Sequence, residues 1–375
     1  MTKIVICYLD TGGGHRQAAK AIAEALREVP DEQQGPLTVI EQGELPSSNR
    51  LNSMFLNFYN FLLRHHQEWM KYYFAFIEWA KPNESRLAYR MSGDSAKTFW
   101  RQLQPDVVVS VHPMLNHYTY WGLKDAGLVG KTKFAIVLTD PNAGFWSGWA
   151  CRDADLNVAP NSAARDRLVA LGILPERIRT IGMPVRSAFC LPPKVDATTV
   201  LARLGLEQDR LTVLLSGGWA GGGEIEQIFR ALTKVKRRIQ VVVICGHNAL
   251  LLARINALRD MTNMPFAALP FTDSMSDLMW ACDLMITKGG GLTTSEAVAR
   301  RLPLVLDMIH EPMPQELGTV QMLVESGKAT GLKSVDDIIE IVENFQKLNE
   351  RPLPSMISVH EIARAILSLS DRAGQ

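Results

Sequence analysis

KIVICYLDTGGGHRQAAKAIAEAL, residues 3–26, passes from an apolar run rich in Ile and Val, through a glycine turn, into an alanine-rich amphipathic stretch. A strand buried on both faces of a parallel sheet reads as such a continuous apolar run, and a glycine turn leading into a helix is its usual exit. The same pattern recurs along the chain. LTVIEQ (37–42), DVVVSVH (106–112), KFAIVLTD (133–140) and DLNVA (155–159) read as the other strands of the first half. LTVLLSGG (211–218), QVVVICG (240–246), CDLMITKGG (282–290) and LPLVLDM (302–308) read as those of the second. Helical patterns lie between them, at 16–27 and 163–171 among others, and a last one covers 359–369. Two such series predict an α/β protein with two doubly wound, Rossmann-like domains facing a cleft. The segment GMPVRSAFCLPPKVD (182–196), with Pro184, Pro192 and Pro193, marks the boundary, giving domains over 1–187 and 195–353 and a terminal segment over 354–375.

Composition excludes several classes. Of 375 residues, 47% are hydrophobic and 21% charged, which is far from a disordered chain. Forty Lys and Arg against 39 Asp and Glu leave a net charge of +1, so no nucleic-acid partner is expected. The five cysteines are odd in number, scattered and without a C-x-x-C pair, which speaks against a disulfide framework or a zinc ribbon. The start has no basic segment ahead of an apolar stretch, and no run reaches the ~18 apolar residues of a spanning helix. The expectation is a protein of the cytoplasm, soluble or peripheral to a membrane.

One region departs from the strand–helix rhythm. The chain has 13 Phe, 8 Trp and 7 Tyr, and ten of these fall between Phe55 and Trp79, Phe58, Trp69, Tyr72 and Tyr73 among them. Seven Lys and Arg outnumber four Asp and Glu across 51–101. Aromatics beside basic residues suit a helix that docks on an anionic membrane surface. Packing of an aromatic helical pair on the sheet edge is the alternative.

Three glycine turns follow strands and precede helices: Thr11–His15, Ser216–Gly223 and Lys288–Glu296. Glycine lets backbone N–H groups approach an anion, and the helix N-terminus adds partial positive charge. None fits G-x-G-x-x-G after the first strand or the P-loop pattern, so nicotinamide and P-loop enzymes are disfavoured. Together they predict a phosphorylated ligand in the cleft. Glu296, in the helix after Gly291, can reach the sugar hydroxyls of a nucleotide, or serve as a surface residue favoured by the helix dipole. His15 opens the first helix and suits a general base or an anion contact. Asp140 ends a strand, where carboxylates point into the ligand crevice, or caps a turn before Pro141. Asp153-Ala154-Asp155 has the D-x-D spacing of a metal site but precedes an apolar strand, and His112 and His117 are wrongly spaced for a helical metal face, so no metal is expected.

In order, TGGGHRQAAKAIAEAL, VVVSVHPMLNH, LTD (138–140), RIRTIGMPVRSAF and TKGGGLTTSEAVARRLPLVL resemble the monogalactosyldiacylglycerol synthases and processive diacylglycerol glucosyltransferases. They are more loosely similar to the N-acetylglucosaminyltransferase of the peptidoglycan lipid intermediate. The resemblance runs from Ile4 to Ala329. It implies the two-Rossmann GT-B glycosyltransferase fold and a last helix returning to the N-terminal domain. It also implies a metal-free inverting transfer from a UDP-sugar, with no cofactor, to a lipid acceptor at the inner face of the cell membrane.

Carried over by position, Gly290, Gly291, Leu292 and Thr293 would hold the diphosphate, approached by Ser216, Gly217 and Gly218. Glu296 would bind the ribose, Gln315 and Glu316 the sugar, and His247 and Asn248 would lie near the base. Arg186 would sit at the hinge near the nucleotide. In the N-terminal domain, Gly13, Gly14, His15, His112 and Asp140 match acceptor-binding and deprotonating positions, and the aromatic insert matches the lipid-docking segment. Phe145 stands where the family usually has a histidine, Thr319 where an asparagine is usual, and Trp219 where relatives have a small or polar residue. The leading expectation is a lipid hexosyltransferase acting on 1,2-diacylglycerol. The alternatives are the peptidoglycan-intermediate transferase, a sugar-nucleotide epimerase, and a catalytically degenerate UDP-sugar sensor.

Overall fold

The apolar runs form two six-stranded parallel sheets in a computed structural model. It describes residues 2–9, 13–29, 36–43, 58–59, 61–62, 69–91, 95–348 and 350–371. The chain divides into two units, Met1–Ser187 with Met356–Gln375, and Ala188–Ser355.

In the first unit the sheet has the order β2-β1-β3-β4-β5-β6. The strands are β1 (Thr2–Cys7), β2 (Leu37–Gln42), β3 (Val107–Ser110), β4 (Lys133–Val137), β5 (Leu156–Ala159) and β6 (Ile178–Thr180). The register pairs Ile4 with Val39 on one side and Val107 on the other. Ile4, Ile6, Val107, Val109, Ala135 and Val137 face one core, closed by Ala19, Ile22 and Leu26 of helix Gly14–Glu28 and by Val359, Ile362 and Ile366 of helix Ser358–Asp371. Val5, Val108, Phe134 and Ile136 face the other, with Trp100, Leu123 and Trp149. Each fully buried side chain of this size contributes roughly 1.5–3 kcal/mol, so both faces of the sheet are committed to packing. The last helix is tied in by Ser358 Oγ donating to Met183 O at 2.6 Å and by a 2.9 Å pair between His360 and Glu28.

In the second unit the order is β12-β11-β10-β7-β8-β9. The strands are β7 (Leu211–Ser216), β8 (Ile239–Ile244), β9 (Phe266–Leu269), β10 (Leu284–Thr287), β11 (Leu304–Asp307) and β12 (Ala329–Leu332). Val213, Leu215, Val241, Val243, Ile286 and Val305 form the core against Ile228, Phe229 and Leu232 of helix Ile225–Leu232. Arg300, 1% exposed, donates to the carbonyls of Leu191 and Ala188, which seats the start of this unit on its own body.

Nine strands follow the runs read from sequence; β6, β9 and β12 add to them, and each lies at a sheet edge. All five cysteines are buried and unpaired. No helix among the described residues is long and apolar enough to cross a membrane.

Candidate functional site

Parallel strands deliver whatever follows them to one rim of the sheet. In the first unit β1, β3 and β4 are neighbours, so His15, His112 and Asp140 arrive at adjacent positions. Gly13 makes the first of these turns: its φ of 80° is a left-handed conformation that glycine adopts without strain. His15 then sits on the first turn of its helix, with Nδ1 2.8 Å from Val111 O and 3.0 Å from Thr139 Oγ1. A carbonyl only accepts, so Nδ1 of the neutral ring carries the proton and Nε2 is the basic atom. The His112 ring centroid is 4.3 Å from that of His15. Nδ1 of His112 accepts from Met114 N at 3.2 Å, which leaves the proton on Nε2.

Asp140 completes the group. Trp149, fully buried, donates its indole N–H to Asp140 Oδ2 at 2.6 Å, and its ring lies 6.2 Å from that of His15. Burial pushes the His15 pKa down, against the Asp140 charge and the Val111 hydrogen bond. Burial pushes the Asp140 pKa up, against His15 and the Trp149 hydrogen bond. His112 is held well below the ordinary histidine range by burial and by His15. An un-ionised imidazole beside a carboxyl of raised pKa is an arrangement suited to taking a proton near neutrality.

The second unit carries the other two glycine turns. Ser216–Gly223 and Cys245–Asn248 leave the adjacent strands β7 and β8 and interlock. His247 N donates to Trp219 O at 3.0 Å, and Asn248 Nδ2 to Gly221 O at 3.2 Å. A Cβ on Gly221 would lie 2.1 Å from Cys245 O, and its φ is +63°. Asn248 also accepts from Leu251 N, so its side chain serves the turn and the helix cap. The His247 ring stacks on Phe271 at 4.8 Å and meets the Trp219 ring edge-on at 5.1 Å.

The third turn leads into helix Gly291–Ala299, whose N-cap, Gly290, makes no side-chain cap, so the N–H groups of Gly291, Leu292 and Thr293 are available to an anion. Glu296 on this helix is buried, which removes the reading of a surface residue. The Glu316 carboxyl stands 4.0 Å from where a Cβ on Gly290 would be. Burial pushes its pKa up, with Lys288 opposing and Asp307 adding to the shift. Gln315 Oε1 is buried without a protein partner.

The remaining expected residues are spread out. Arg186, half-buried, lies two residues before the division between units. Gly14 faces open space. Phe145 packs in the core beside Trp149. Of the D-x-D pair, Asp155 accepts from Phe134 N at 2.9 Å and so belongs to the sheet. Phe55 lies outside the described residues. Helix Met70–Ala80 buries only Met70 and Ile77; Trp79 is 83% exposed, Tyr72 65% and Trp69 58%. Phe58 is exposed too, whereas Tyr73 packs on Tyr59 and Phe74, and burial pushes its pKa up to about 12. The exposed aromatics are at odds with a helical pair closed on the sheet edge.

Residues 15–185 match the family model for monogalactosyldiacylglycerol (MGDG) synthase, and residues 213–347 match that for the glycosyltransferase family 28 C-terminal domain. A probable monogalactosyldiacylglycerol synthase 2 of rice (Oryza sativa subsp. japonica) is 33% identical over 335 residues, 86% of this chain and 69% of the relative. This chain belongs to the monogalactosyldiacylglycerol synthase family.

A probable monogalactosyldiacylglycerol synthase of Nicotiana tabacum is 33% identical over 92% of this chain, which spans 64% of that relative's length. Among solved structures, MurG of Acinetobacter baumannii superposes with a TM-score of 0.57 at 16% identity, covering 100% of this chain and 94% of that one. The UDP-GlcNAc 2-epimerase of Neisseria meningitidis, bound to UDP-GlcNAc, gives 0.58 at 12%, covering 99% and 100%. These likenesses bear out the GT-B architecture expected of the MGDG synthase family. Sequence reasoning missed Thr139, Lys288 and Asp307 and gave Trp149 no role. Lys288 directly follows β10, Asp307 ends β11 and Thr139 lies two residues past β4, positions that could have drawn notice; Trp149 carries no such signal.

Proposed function

We propose that the chain transfers a hexose from a UDP-sugar to the hydroxyl of a lipid, 1,2-diacylglycerol, with inversion at the anomeric carbon. The observation that carries this reading is the pairing of His15 with an Asp140 whose other contact is Trp149, in a chain of the MGDG synthase family. The acceptor oxygen bonds to the anomeric carbon while the bond from that carbon to the diphosphate oxygen breaks. UDP leaves with the electron pair, and the acceptor proton passes to Asp140. His15, neutral, keeps the site free of a competing positive charge and accepts a hydrogen bond at Nε2. Fixed N–H dipoles of the Gly290–Thr293 turn stabilise the charge on the departing diphosphate, the kind of contribution that is usually largest. Glu296 takes the ribose hydroxyls, and Gln315 and Glu316 the sugar.

The exposed aromatics Trp69, Tyr72, Phe76 and Trp79 support docking of helix Met70–Ala80 on the interface of an anionic membrane, with the enzyme peripheral on its cytoplasmic face. The test is UDP release from a panel of UDP-sugars, with and without diacylglycerol in anionic vesicles. Release from one sugar that depends on diacylglycerol supports the reading and names the donor. Nucleotide binding without release under every condition overturns it in favour of a sensor.

A further inference from the structure

We infer that Trp149 is a positioning residue for Asp140: its indole N–H holds one carboxylate oxygen so that the other is presented to the acceptor hydroxyl. The inference rests on the proposed transfer reaction.

The indole N–H can only donate, and at 2.6 Å from Oδ2 it occupies that oxygen. Oδ1 is left as the atom that takes the proton. A hydrogen bond of this type is stronger to a carboxylate than to a neutral acid, so it also favours the ionised form of a group whose pKa burial raises.

The indole is itself held. Trp149 closes a single helical turn, Ser147–Trp149, and is fully buried in the core cluster that also holds Phe134, Leu138 and Phe145. Asn116, also fully buried, donates Nδ2 to Gly148 O at 3.1 Å and to Trp149 O at 3.3 Å. Asn116 begins helix Asn116–Ala126, which follows the loop carrying His112. One continuous set of contacts therefore runs from that helix through Asn116 and the turn to Asp140. The titratable groups around Asp140 are His15, from the helix after β1, and beyond it His112, from the loop after β3. Trp149 adds no charge, so its effect is distinguishable from theirs.

The test is Trp149→Phe, which keeps an aromatic ring and removes the donor. The expected result is a kcat lower by roughly 10- to 100-fold, with the KM for diacylglycerol and the Kd for UDP changed less than about twofold. The acid limb of the kcat–pH profile should move to higher pH, because Asp140 loses a contact that favours its ionised form. Asn116→Leu, which removes both hydrogen bonds to the turn without adding a charge, should move the limb the same way by a smaller amount. A purely structural tryptophan would lower Tm and leave the limb in place, and that result overturns the inference.

Should Trp149→Phe not fold, the wild-type chain labelled with 15N-tryptophan decides. One indole resonance should follow a titration that disappears in Asp140→Asn, and its absence overturns the inference. A wild-type enzyme inactive on every lipid and UDP-sugar would instead overturn the reaction itself, while the indole titration would still report on the contact.

Discussion

The imidazole rings of His15 and His112 lie with centroids 4.3 Å apart and planes tilted by 58°, although they follow different strands, β1 and β3, and stand 97 positions apart in sequence. Neither ring can take a proton without setting a charge against its neighbour in a buried place. Burial lowers both pKa values. The unfolded chain binds these protons near the ordinary histidine value of about 6.5, and the folded chain does so only at lower pH. Acidification therefore favours unfolding, by up to about 1.4 kcal/mol per pH unit for each such histidine once the pH drops below ~6.5. The raised pKa of Asp140 acts in the opposite sense, which makes His112 the cleaner probe. His112→Asn should flatten the decline of Tm between pH 7 and pH 5; calorimetry at three pH values checks this, and an unaltered slope refutes it.

Asp140 and Glu296 separate chemistry from binding. Asp140→Asn should reduce transfer below detection in a coupled assay while leaving UDP affinity within about twofold, because no nucleotide contact is assigned to it. Glu296→Ala should weaken UDP binding by about 1–3 kcal/mol through loss of a charged hydrogen bond. Titration calorimetry on both variants decides. Full activity in Asp140→Asn would transfer the role of base to His15.

Gly221 tests the interlocked turns. Alanine there would bring Cβ to 2.1 Å from Cys245 O in a left-handed backbone. The expected cost is at least about 1–3 kcal/mol, read as a lower Tm together with weaker UDP binding. Gly205→Ala shares the positive φ (+70°) but meets nothing within 4 Å, so it should cost less.

On the aromatic helix, Tyr72→Ser with Trp79→Ser should weaken vesicle binding by about 2 kcal/mol, or roughly 30-fold. Both side chains are largely exposed, so Tm and UDP affinity should stay as in the wild type. Co-sedimentation with anionic vesicles measures the effect, and unchanged binding would remove the docking role.

The strands at the centre of each sheet are legible because both their faces are buried, so that VVVS and LMIT have no room for polar alternation. β6, β9 and β12 are not, and their sequences IRT, FAAL and ATGL explain why. A strand at an edge has one neighbour and an open side, which relaxes the demand for a continuous apolar run. Asp140 is legible because a polar residue just past an apolar run stands out, and His15 because it opens a helix directly after a glycine turn. The indole bond to Asp140 is not, since Trp149 comes from a turn nine residues further on whose path no periodicity specifies. The burial of Glu296 is likewise a property of the folded packing around its helix; local sequence leaves that glutamate equally suited to the surface.

The buried thiols make the native chain silent toward alkylating reagents. Cys7, Cys151, Cys245 and Cys282 are wholly enclosed and Cys190 nearly so, and burial pushes the Cys151 thiol up to about 12 and that of Cys245 to about 11. A thiolate is the reacting species, so enclosure and a raised pKa suppress labelling together. A single new cysteine at an exposed position such as Trp79→Cys would thus carry a fluorophore alone, with no need to strip the natural ones. Conversely, the appearance of five reactive thiols would time the opening of both units, Cys7 and Cys151 reporting on one and Cys245 and Cys282 on the other.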